Sequence, residues 1–155
     1  MLAHTLAVVE FLVGWYFLPA KLNSVCLVVG LAMISVGHVL RIGAMFTAAR
    51  NFNHEVQFKK AQGHQLVTHG VYSVCRHPSY FGWFLWSTGT QVILCSPICF
   101  AGFFVVSYKF FSSRIETEEE QLYAFFGQEY RKFCERSPIL IPFIDRESAY
   151  PFKSY

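Results

Sequence analysis

The chain has 155 residues, 54% of them hydrophobic and 18% aromatic, with 15% charged and a net charge of +3. Soluble proteins carry about 25% charged residues, so this composition points to a bilayer protein of about one domain. The small net charge gives no case for a nucleic-acid partner. Five cysteines without zinc spacing read as reduced thiols packed among helices.

Four apolar segments follow one another along the chain. The first runs from about Leu2 to Leu18, carries Glu10 in its middle and stops at Pro19. It lacks a basic leading region and a small-residue cleavage site, so it does not read as a signal peptide. The second runs from about Ser24 to Ala49 and contains His38 and Arg41. Each is near the ~20 residues that span a bilayer. The link holding Pro19 and Asn23 predicts a tight helical hairpin. A charge such as Arg41 either faces protein or water, or sits near the helix end and snorkels. Glu10 carries the same two readings.

Residues 50–79 are polar and mixed, and Gly63, Gly70 and Pro78 interrupt them. The pattern predicts an irregular, partly buried loop, and loops of ~30 residues are often functional. The third and fourth segments, Tyr80 to Leu94 and Ile98 to Phe111, join through Ser96-Pro97. At ~1.5 Å per residue each spans only about 20–22 Å, short of a ~30 Å hydrocarbon core. They predict a helical hairpin whose two ends face one side. That brings Arg76–Tyr80 and Arg114–Glu119 together.

From Ser112 to Glu135 the sequence predicts a charged amphipathic helix. Leu122, Phe125, Phe126, Glu129, Tyr130 and Phe133 form its stripe. The Pro-broken tail from Pro138 to Phe143 predicts an extended piece that packs back. Basic residues cluster in the linkers, from Arg50 to Arg76 and from Arg114 to Arg136, which favours a cytoplasmic placement. The fold expected is all-α and polytopic. One membrane-embedded unit covers residues 1–155, with two spanning helices within 1–49 and a loop over 50–79. A helical hairpin follows over 80–111, then a cytosolic amphipathic helix and tail over 112–155. The alternation of strands and helices that a Rossmann fold needs is absent.

Chemistry is expected where apolar helices meet polar sequence. Pro78 suits a first helical position, and a helix start at a membrane surface offers backbone N–H groups and a positive dipole end to an anion. Arg114 and Glu118 stand at i, i+4 on one helix face. They read either as a solvated ion pair beside Glu116, Glu119 and Glu120, or as a functional pair facing the His77 turn. His4, His54, His64 and His69 have no metal-like spacing, so no metal site is expected.

The run Arg76-His77-Pro78-Ser79-Tyr80-Phe81-Gly82-Trp83, joined to Arg114-Ile115-x-x-Glu118-Glu119, resembles the signature of isoprenylcysteine carboxyl methyltransferases. Arg41-x-x-Ala44-Met45-Phe46, Asn51-Phe52-Asn53-His54, Leu66-Val67-Thr68-x-Gly70-Val71-Tyr72 and Phe125-Phe126-Gly127-x-Glu129-Tyr130 are similar to the same family. The match runs from about Gly37 to Phe143. The resemblance implies S-adenosylmethionine-dependent methyl esterification of the C-terminal prenylated cysteine of CaaX-processed proteins, farnesyl or geranylgeranyl. It implies that the cofactor is held by Gln57, by His64, Gln65, Leu66 and Val67, by Tyr72, by His77, Pro78, Ser79 and Tyr80, and by Glu118. Arg114, with Arg41, would bind the substrate carboxylate. Gln65 stands where the family carries Thr. Eukaryotic members carry further membrane helices ahead of the region matching Leu2. The resemblance further implies a multi-pass endoplasmic reticulum protein with its site facing the cytosol. The looser His-Pro plus Glu-Glu pattern leaves a phospholipid N-methyltransferase, a nicotinamide-dependent membrane reductase and an inactive or regulatory membrane protein as alternatives.

Overall fold

A computed structural model describes residues 2–17, 23–60 and 62–144. Among the described residues all regular structure is helical. The elements are α1 (Leu2–Phe17), α2 (Ser24–Ala48), α3 (Pro78–Ile93), α4 (Pro97–Phe126) and α5 (Gln128–Arg136), with 3-10 turns at Ala49–Asn51 and Gly70–Ser73. Two stretches, Ser24–Asn51 and Pro97–Phe126, are long and apolar enough to cross a membrane. The expected link through Pro19 lies outside the described residues. α2 opens on Asn23, whose side-chain oxygen accepts from the Val25 N–H at 2.9 Å as an N-cap.

The helix that starts at Pro97 does not stop at Phe111 but continues to Phe126. The sequence changes there from apolar to charged, yet Ser112 to Phe126 contains neither Gly nor Pro. A helical backbone is indifferent to that change of solvent preference. The break falls instead at Gly127, whose φ of +51° a glycine adopts at little cost.

The chain forms two compact units. The first takes the described residues up to Val39 together with Gly82–Ser107; the second takes Leu40–Phe81 and the described residues from Tyr108 on. In the first unit α2 and α3 meet backbone to backbone. A Cβ added at Gly30 would lie 2.8 Å from the Gly89 carbonyl oxygen, and one at Gly37 would lie 2.5 Å from that of Gly82. Small residues at such a seam let membrane helices gain contact where lipid gives them no hydrophobic drive to associate. Gly37→Leu is therefore expected to lower the thermal midpoint in detergent, by the ~1–3 kcal/mol or more of an overpacked contact. A midpoint equal to wild type would show that the seam has slack.

Glu10 has a partner in the same unit. Its two carboxylate oxygens accept from the backbone N–H groups of Ile98 and Cys99, at 3.1 and 2.9 Å. These are orphan donors in the first turn of α4, where a carboxylate also suits the helix dipole. The charge in the middle of α1 is thus a cap for another helix.

Candidate functional site

In the second unit a buried salt bridge fixes the turn into α3. Arg76 is 3% and Glu119 1% exposed. Arg76 Nε stands 2.9 Å from Glu119 Oε1, and Nη2 donates to Oε2 at 3.5 Å. Arg76 Nη1 donates to the carbonyls of Cys134 and Ser137 at 3.1 and 3.3 Å, which ties the end of α5 to the same point. His77 Nε2 lies 3.0 Å from Glu119 Oε1. A carboxylate only accepts, so Nε2 carries the proton. Burying two opposite charges is tolerable because both find several hydrogen bonds.

One turn on, Tyr80 stands at the centre of a polar chain. Its ring stacks on His77, with centroids 5.5 Å apart and planes within 5°. Its hydroxyl accepts from Arg114 Nε at 2.8 Å and donates to Glu118 Oε2 at 2.5 Å. Arg114 Nη2 donates to the His54 carbonyl. Of its five N–H groups, two are thereby used, one on Nε and one on Nη2. Three N–H groups remain, both on Nη1 and one on Nη2, and a guanidinium suits a carboxylate fork to fork. The guanidinium also lies 6.0 Å from the centre of the Phe110 ring, whose side chain is 55% exposed. Arg41 Nη1 donates to the Ser79 hydroxyl at 3.1 Å and to its carbonyl at 3.5 Å. Of the two readings of Arg41, contact with protein is the one realised.

Beside this chain lies a cleft with about 720 Å³ of empty space, part of it open to solvent. Its lining includes Gln57, His64, Gln65, Leu66, Val67, Tyr72 and Glu118, all residues singled out in the sequence. Gly70 makes the turn that presents Tyr72: its φ is +59°, and a Cβ there would lie 2.9 Å from the Thr47 side chain. Burial, then the Glu118 charge, pushes the Tyr72 phenol up to about 12, so it stays a donor. Burial and neighbouring Lys60 pull His64 below its ordinary value, which keeps its ring neutral. His64 meets the rings of Phe125 and Phe126 edge-on, with centroids 6.0 and 5.4 Å away.

His77, Pro78 and Ser79 stand differently. They are buried, and the side chains of His77 and Ser79 turn to Glu119 and Arg41, not to the cleft. Tyr80 alone of that run reaches Glu118. Sequence reasoning gave no role in the site to Arg76 or Glu119, although both lie inside the two signature runs, and placed Tyr130 only in the helix stripe. The hydroxyl of Tyr130 is buried at the cleft wall beside the Cys134 thiol. An aromatic wall, the amides of Gln57 and Gln65 and a carboxylate fit a nucleoside-bearing cation better than a purely apolar ligand.

The family model for the isoprenylcysteine carboxyl methyltransferase family matches residues 28–124. The chain belongs to that family. It is 55% identical over 117 residues to the protein-S-isoprenylcysteine O-methyltransferase of Xenopus laevis, covering 76% of this chain and 41% of the relative. The Homo sapiens relative is 53% identical over the same shares. That of Tribolium castaneum is 47% identical over 88% of this chain and 49% of its own length. The chain thus spans about half or less of these relatives. A solved structure of a eukaryotic intramembrane Ras methyltransferase, an isoprenylcysteine carboxyl methyltransferase, superposes with a TM-score of 0.88 at 46% identity. It covers 92% of this chain and 52% of that one. The fold is accordingly an all-α membrane fold of that family, and family membership implies use of a methyl donor.

Proposed function

We propose that this chain carries the catalytic face of a protein-S-isoprenylcysteine O-methyltransferase, working in the endoplasmic reticulum membrane with the cleft open to the cytosol. The observation that carries the reading is the Arg114–Tyr80–Glu118 chain at the rim of the aromatic cleft. It sets a cation and an anion side by side, each with an edge free.

S-adenosylmethionine, when bound, supplies a methyl group on a sulfonium. Gln57, His64, Gln65, Leu66, Val67 and Tyr72 would hold it in the cleft, with Glu118 facing its positive charge. His77, Pro78 and Ser79 would brace that side through Tyr80 and Glu119. Arg114 would orient the carboxylate of a prenylated cysteine by its free edge, a bidentate contact that Lys reproduces poorly. Arg41, anchored on Ser79, would add positive potential. Exposed Phe46 and Phe110 offer apolar ground on which a farnesyl or geranylgeranyl chain entering from lipid can lie.

The acceptor carboxylate is ionised at neutral pH, so no residue has to act as base. Catalysis then rests on positioning. Opposite charges vanish as the methyl moves, and a site screened from water favours that change. A farnesylated cysteine with a free carboxylate should serve as acceptor while its carboxamide should not. Equal methylation of both would refute the role given to the carboxylate. Glu118→Ala should weaken S-adenosylmethionine binding, measured without acceptor, by at least about tenfold, the loss of one charge contact of ~1.5–3 kcal/mol. Unchanged affinity in a titration would remove Glu118 from the donor site.

A further inference from the structure

Arg114 and Glu118 stand one turn apart on the same face of α4, the spacing at which opposite charges on a helix pair directly. They do not pair here. The Tyr80 hydroxyl, delivered from α3, sits between them, 2.8 Å from Arg114 Nε and 2.5 Å from Glu118 Oε2. The ring has little freedom to leave. It stacks on His77, which Glu119 holds, and it packs on Phe111 with centroids 5.1 Å apart.

We infer that Tyr80 is a positioning residue whose hydroxyl acts as a spacer, holding Arg114 and Glu118 apart so that each keeps an edge for its own ligand. The inference rests on the function proposed above and deepens it. A hydroxyl is suited to this because it accepts from the guanidinium and donates to the carboxylate at once. It satisfies one position on each charge without neutralising either. A phenyl ring in its place satisfies neither, and the two charges then close on each other. Each would have to break that ion pair before meeting its ligand, so the free site would hold itself shut.

The test uses direct binding of farnesylated cysteine and, separately, of S-adenosylmethionine to the protein in nanodiscs. Tyr80→Phe keeps the ring stacked on His77. It is expected to weaken farnesylated cysteine binding about tenfold, to leave binding of the uncharged carboxamide unchanged, and to weaken S-adenosylmethionine. The decisive variant is Tyr80→Phe combined with Glu118→Gln. Removing the competing anion frees Arg114, so farnesylated cysteine affinity should return to within about threefold of wild type. A merely structural role for Tyr80 predicts no such rescue. Equal affinity of Tyr80→Phe and wild type, or a double variant as weak as the single one, would overturn the spacer. Failure of the wild-type protein to bind either ligand would instead overturn the function on which the spacer rests.

Discussion

Replacing Arg114 with alanine is expected to lower carboxyl methylation about a hundredfold or more, with S-adenosylhomocysteine affinity changed by no more than about threefold. A preorganised donor on a reacting oxygen is worth about 10²–10³ in rate. Arg114 is preorganised: Tyr80 and the His54 carbonyl hold its Nε and Nη2 and leave Nη1 for a ligand. Arg114→Lys should recover only part of the loss, because an ammonium cannot bridge two oxygens in a plane. The split between kcat/KM for the acceptor and Kd for the donor side is the informative quantity. A variant that loses both equally would mean that Arg114 holds the site together and does not orient the acceptor.

Glu119→Ala carries the largest expected cost in stability. It leaves Arg76, whose side chain is fully buried, without its counter-ion, and it frees the His77 ring. Stranding a buried charge costs about 3–5 kcal/mol, enough to empty the folded state of a marginal protein. The folded fraction and thermal midpoint in detergent report this directly. Glu119→Gln should cost less, since the amide oxygen still accepts from one donor. Arg76→Met with Glu119→Leu should recover much of the midpoint, since an apolar pair leaves no orphaned charge. A Glu119→Ala midpoint equal to wild type would mean that water reaches Arg76.

Much of this site was legible in the sequence. Two short apolar segments joined at Ser96-Pro97 already imply that their outer ends meet, and the contacts of Arg76, His77 and Tyr80 with Glu118 and Glu119 are that meeting. Of the predicted stripe, Leu122, Phe126, Tyr130 and Phe133 pack the second unit with Leu66 and Tyr72, whereas Glu129 is exposed. What failed to show has physical reasons. The switch from apolar to charged residues after Phe111 marks a change of surroundings, not of backbone, so α4 ran on unseen. Periodicity carries no information about which distant donor a charge will meet. Glu10 therefore stayed ambiguous until the start of α4 was placed beside it, and Arg41 until Ser79 was. The i, i+4 spacing of Arg114 and Glu118 suggests a direct pair, and nothing local announces that a tyrosine from another helix will stand between them.

On the proposed function, this chain moves a methyl group to the carboxylate of a prenylated cysteine. Membranes holding the protein, given S-adenosylmethionine with a labelled methyl group, should label farnesylated cysteine in a form that base releases as methanol, and should leave phosphatidylethanolamine and non-prenylated cysteine unlabelled. Base-stable label on the phospholipid, with none on the prenylcysteine, would contradict it.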